Sequence, residues 1–166
     1  MGNSFEISSK DENYFDRSFI NEIKNKVILD KLIELIDEVD DIVGDEEAYL
    51  TKKIYILFAS KFLNQNQLDK TYNLLSESSD KIMKFELYSL CILVSKASFE
   101  AKIHTIFNLF CINDETTLQA SDFILLIKSV LNSVYKVSKV TIPSDKSYLE
   151  FLQKKCPGCL FNKDFE

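Results

Sequence analysis

Three observations predict an all-α fold. Only three Gly and two Pro punctuate the 166 residues, far fewer than an all-β chain needs to turn roughly every 8–12 residues. Apolar residues make up 46% of the chain, and they recur at the i, i+3, i+4, i+7 spacing of one helix face over most of its length. Finally, a chain of this size buries one ordinary core, or two small lobes, without disulfide or metal staples.

The elements follow in order. Residues 1–14 are polar and without periodicity and read as a flexible arm. A long amphipathic helix is predicted from Phe19 to Gly44, its stripe formed by Ile28, Leu32, Ile36, Val39 and Val43. A second starts near Asp45–Glu47, where acids suit the positive end of the helix dipole, and turns Leu50, Ile54, Leu57, Phe58 and Phe62 inward. Together these make residues 15–65 an N-terminal helical region, either an ion-free EF-hand-like lobe of its own or a separate helical cap. A short third helix carries Leu68, Tyr72 and Leu75 up to the polar break at 76–80, and a fourth carries Leu87, Leu90, Cys91 and Val94. The most regular helix spans 98–110, with Ser98 as N-cap and Phe99, Ile103, Ile106, Phe107 and Phe110 on one face. Another runs from about Ser121 to Lys136, and residues 137–166 form a tail with one short helix and a turn at Cys156–Cys159. Two helix–loop–helix units in tandem therefore occupy 66–136.

Charge and composition exclude several function classes. A net charge of −6 without a concentrated Lys/Arg patch excludes a nucleic-acid partner, whose phosphates demand one. No apolar run reaches the length of a membrane span, and the amino terminus lacks the order of a signal peptide. These points, with Cys91 and Cys111 in or beside apolar helical stretches, suggest a reducing, cytoplasmic setting without a disulfide framework.

The two polar breaks carry the candidate chemistry. A twelve-residue calcium loop between helices supplies oxygens at positions 1, 3, 5, 7, 9 and 12, turns sharply on Gly at 6 and pairs through an apolar residue at 8. With Cys111 at position 1, Asn113, Glu115, Thr117, Gln119 and Asp122 fall at 3, 5, 7, 9 and 12, with Leu118 at 8. Three defects spoil this loop: a thiol at 1, Thr116 for Gly at 6, and Asp for the bidentate Glu at 12. The earlier break has two frames. Ser76 at position 1 places Lys81 at 6 and Leu87 at 12; a shift of one residue puts Leu75 at 1, Ile82 at 8 and Glu86 at 12. Neither supplies the six or more oxygens that a hard cation requires.

The blocks "NQLDKTYNLL", "FELYSLCILVSKASFEAKIHTIFNLF" and "FILLIKSVL" follow one another in the order helix, loop, helix, linker, helix, loop, helix. From about Asn66 to Tyr135 the chain thus resembles an EF-hand pair of the calcineurin-B-like type, over less than half of its length. The resemblance implies a paired helix–loop–helix module with an apolar groove for a partner helix. The lost ligands imply a module that keeps one shape.

Other motifs weigh toward bland readings. The run "DEVDDIVGDEE" at 37–47 matches no loop spacing and reads as a solvated helix end. Cys156 and Cys159 have C-x-x-C spacing but no nearby second pair of zinc ligands and no βαβ setting for redox work, so an ordinary turn is expected. His104, the only histidine, has no nucleophile or carboxylate at a supporting spacing. Gly2 lies in a partial myristoylation pattern, with Glu6 where Ser or Thr is wanted. Tyr148, Phe151, Leu152, Leu160 and Phe161 lack an obvious core position and are candidate partner contacts.

These readings converge on a non-catalytic interaction or scaffold subunit built on a degenerate EF-hand module, with no cofactor and a protein partner. Analogy places it in a cytoskeletal or ciliary (axonemal) assembly. One alternative is a calcium sensor or regulatory subunit resembling calcineurin B, binding weakly through Asn113, Glu115, Thr117 and Asp122. A further one is a zinc or thiol protein using Cys156 and Cys159.

Overall fold

The computed structural model describes residues 17–44, 47–76, 80–111 and 118–138, together with the single positions 144, 146, 150 and 154. Among the described residues the chain forms seven helices and one two-stranded ribbon: α1 (Arg17–Lys26), α2 (Leu29–Val43), β1 (Tyr49–Thr51), α3 (Lys52–Ala59), α4 (Gln65–Ser76), β2 (Lys81–Met83), α5 (Lys84–Val94), α6 (Phe99–Phe110) and α7 (Ala120–Ser138). The helical class expected from the Gly and Pro count and from the periodicity is the class observed.

The long first helix is in fact two. At Ile28 the backbone turns to an extended conformation and forms a parallel bridge with Lys96, while the Lys96 N–H donates to the Val27 carbonyl at 3.1 Å. Two consecutive β-branched residues favour that conformation, and the bridge ties the break to the segment after α5. Ile28 itself is 52% exposed and Val43 half-buried, whereas Leu32, Ile36 and Val39 of the stripe are buried, with Leu29 and Leu35 beside them. Gly44 ends α2 with φ +88° and ψ 150°, a region that only glycine enters without strain.

The second helix starts at Lys52, not near Asp45–Glu47, because Tyr49–Thr51 join the ribbon. That ribbon is antiparallel, with Tyr49, Leu50 and Thr51 opposite Met83, Ile82 and Lys81. Its two inward residues, Leu50 and Ile82, are fully buried, and alternation of exposed and buried positions fixes the register. Two helix–strand–helix units, α2–β1–α3 and α4–β2–α5, are thereby joined. Among the described residues the partner of β2 thus comes from the N-terminal helical region, 15–65.

Local chemistry sets the helix starts. Asn64 and Gln67 form a reciprocal cap before α4: the Gln67 N–H donates to Asn64 Oδ1 at 3.1 Å, and the Asn64 N–H to Gln67 Oε1 at 3.0 Å. Ser98 caps α6 as expected, its Oγ accepting from the Ala101 N–H at 3.2 Å. On α6, Ile106 and Phe110 are buried and Phe107 is half-buried, but Phe99 and Ile103 are exposed, so two of the five residues of the expected apolar face lie fully in the described core.

α5 is the central helix. Eight of its eleven residues are buried, since α1, α2, α6 and α7 all pack on it. Aromatic packing holds the ribbon end of the core: Phe58 lies 5.5 Å from both Phe62 and Tyr88, and the Tyr55 hydroxyl donates to the Leu68 carbonyl at 3.2 Å. α7 makes its most extensive contact with α5 and also touches α4 and α6. Small side chains bring α5 and α7 close together: Ser89, Ser129 and Ser133 are fully buried, and the Ser89 and Ser129 hydroxyls have no hydrogen-bond partner among the described residues.

Candidate functional site

Burial of a charge is costly unless it is paired and hydrogen-bonded, so the buried charges of this apolar bundle mark where its sequence has been constrained. Lys84 and Glu86 are 2% and 3% exposed. Both stand in the first turn of α5, immediately after the ribbon, and each belongs to a small polar cluster.

The tighter cluster surrounds Glu86. Lys136 Nζ lies 2.7 Å from Glu86 Oε2 and donates to the Leu75 carbonyl at 3.0 Å. Asn132 Nδ2 donates to Glu86 Oε1 at 3.1 Å. Asn132 and Lys136 are four residues apart on α7 and so project from one face. Both carboxylate oxygens are engaged, the arrangement that offsets the desolvation of a buried pair.

A second carboxylate is held in the same way. Asp40 near the end of α2 accepts from the Tyr88 hydroxyl at 3.0 Å, and Lys84 Nζ approaches the same oxygen at 3.4 Å. Lys84 and Tyr88 are likewise four apart, on α5. The Lys84 contact is looser, and its ammonium also reaches the Gly44 carbonyl at 3.5 Å. Burial, reinforced by the Asp40 carboxylate, holds the Tyr88 phenol well above its ordinary range. Two i, i+4 donor pairs thus tie α2 to α5 and α5 to α7.

Ile82 faces Leu50 across the ribbon, as an apolar position 8 of a paired calcium loop would, and the frame with Ile82 at 8 places Leu75 at 1 and Glu86 at 12. Asp80 then falls at position 6, and its φ of 51° makes it the one non-glycine residue with positive φ among those described. Aspartate tolerates that left-handed turn better than most residues, and the Tyr72 hydroxyl fixes it by donating to the Asp80 carbonyl. The ammonium of Lys136 therefore bridges the first and last positions of this frame. The same frame on Leu50 puts Val43 at 1 and Ile54 at 12, neither of which offers a side-chain oxygen.

The other sequence-derived candidates fall as follows. Asp122 lies in the first turn of α7 and accepts from the Ser121 hydroxyl at 3.2 Å. Asn113, Glu115 and Thr117 lie outside the described residues, as do Cys156, Cys159, Tyr148, Phe151, Leu152, Leu160, Phe161 and Gly2. Cys111 caps α6 through its N–H on the Asn108 carbonyl. Cys91 is buried, which drives its thiol far above the usual range and away from thiolate chemistry. His104 is exposed, its Nδ1 3.2 Å from Asn108 Nδ2. Among the described residues no cluster of three or more His, Cys, Asp or Glu side chains could hold a metal ion, and no helix is long and apolar enough to cross a membrane.

Sequence reasoning missed Lys136 and Asn132. Their i, i+4 spacing on an otherwise apolar helix is visible in the sequence, and so is the isolation of Glu86 among apolar neighbours. What the sequence lacks is the juxtaposition of α7 with α5. Comparisons with protein-family models, with curated proteins and with solved structures return no match.

Proposed function

We propose that this chain is a non-catalytic interaction subunit whose two joined helix–strand–helix units form a degenerate EF-hand lobe that holds its shape without a bound ion. The observation that carries this reading is the Lys136 ammonium, which spans the Leu75 carbonyl and the Glu86 carboxylate. In the calcium-loop frame Glu86 stands at the last ligand position, so the ammonium neutralises the carboxylate that would grip the ion, and its second contact is to the backbone of the first position. A fixed internal monocation neutralises Glu86 and removes the reason for an ion to enter.

A switching EF-hand lobe exposes its groove when calcium opens its helix pairs. In this chain α7 lies along α5 and reaches α4, and its clamp on Glu86 works against such opening. Partner binding on this reading is therefore constitutive and uses the outer faces of the bundle. Titration of calcium into the full chain, with magnesium present, tests the proposal by calorimetry and by a dye that reports exposed apolar surface. Neither heat nor dye uptake is expected up to millimolar calcium; micromolar binding with dye uptake would make the chain a switch.

A further inference from the structure

α2 and α6 diverge over α5 and leave a half-open cleft of about 260 Å³. Ile33 and Ile36 of α2, Ile92 of α5 and Leu109 of α6 supply its apolar surface, and Asp37, His104 and Asn108 stand at its rim. The volume falls below the roughly 300–1,000 Å³ of sites that enclose a small-molecule ligand, so it suits a bulky side chain presented by another protein better than a cofactor.

The rim is not neutral. Asp30, Glu34, Asp37 and Asp41 are all exposed and follow one another at i, i+4, i+7 and i+11, which places them on one stripe of α2. Ile33 and Asp37, four residues apart, carry that stripe to the lip of the cleft. At 1.5 Å per residue the acids extend for about 16 Å along the helix. Across the cleft α6 presents His104 and Asn108, while the ammonium of Lys102 is drawn away to the Leu93 carbonyl at 2.8 Å.

We infer that the α2–α6 cleft is a docking site for a basic segment of a partner protein, which seats one bulky apolar side chain in the cleft and lays flanking Lys or Arg along the α2 carboxylates. This inference rests on the interaction-subunit reading and supplies the chemistry of the partner. Complementary charge sets partner choice and association rate, while the apolar anchor supplies the buried core of the contact.

A random peptide library selected against the full chain tests it. The expected winners carry a bulky apolar residue flanked by Lys or Arg, and their affinity falls as salt rises. Their binding drops about tenfold or more in Asp37→Lys, which reverses the rim charge, and in Thr105→Trp, which fills the cleft. It is unchanged in Glu47→Lys, an equal charge change away from the cleft. Thermal melts confirm that each variant remains folded; Asp37 is a surface position, so its variant stands if Thr105→Trp does not. Acidic or uncharged winners, a lack of saturable binders, or binding that survives the cleft variants or is equally weakened by Glu47→Lys would each overturn the inference. Those failures leave the ion-independent lobe untouched, whereas a calcium-triggered exposure of apolar surface would sink that lobe reading by itself.

Discussion

Glu86 and Lys136 are the residues on which the account turns. Each is a charge that burial would penalise alone, and each is satisfied by the other with help from neighbouring polar groups, the Asn132 amide at Glu86 and the Leu75 carbonyl at Lys136 among them. Removing one partner strands the other in an apolar interior at a cost of about 3–5 kcal/mol. Glu86→Gln and Lys136→Met should each destabilise the chain by about 3 kcal/mol, and the double variant by at least about 1 kcal/mol less than their sum. Urea unfolding of the four proteins measures this; additive losses would mean the two side chains do not act as a pair. Glu86 is legible in the sequence as a position-12 candidate in one of two frames. Leu50 facing Ile82 agrees with that frame, and it is a pairing between residues that no local pattern connects.

Elements follow their local signals wherever those signals are self-contained. The Ser98 cap, the reciprocal Asn64–Gln67 cap and the apolar stripe of α2 are each set within one or two turns of chain. Ser98→Ala should therefore cost about 1 kcal/mol, read as a lowered midpoint of thermal unfolding, and Ser98→Asp should restore most of it. A Ser98→Ala protein with an unchanged midpoint would show that packing alone holds the start of α6. Elements depart from the pattern where a distant segment competes. The predicted first helix breaks at Ile28 because Lys96 pairs with it, and the second starts late because Tyr49–Thr51 pair with Lys81–Met83. Periodicity has no view of either partner. The apolar face of α6 shows the opposite failure: its spacing is helical, but spacing cannot say that Phe99 and Ile103 stay exposed while Ile106 and Phe110 do not.

At the scale of the whole molecule, α5 is the hub, and the two carboxylate clamps bind α2 and α7 to it. The tyrosines and the cysteine of this core are kept neutral by burial. Cys91, Tyr55 and Tyr88 all hold their protons above the ordinary values of 9.0, 10.0 and 10.0. The folded state thus binds these protons more tightly than the unfolded one, so stability is full below about pH 9 and falls as the pH rises beyond it. Urea midpoints measured across that range should decline steadily from about pH 9 upward; a flat profile would mean that water reaches these groups. The all-α class is legible in the sequence, since it rests on residue types and their spacing. The joining of α2–α3 with α4–α5, and the lysine between Leu75 and Glu86, are not, since both rest on what α7 and the ribbon bring together.

On the proposed reading an internal lysine, not an ion, sets the shape of the lobe. Thermal unfolding of the full chain in chelator and in millimolar calcium tests it most directly. A site of micromolar affinity would stabilise the folded state by about 3–4 kcal/mol at that concentration and raise the midpoint by about 5 °C or more. With the lysine in place the midpoints should agree within about 1 °C. A rise of several degrees in calcium would contradict it.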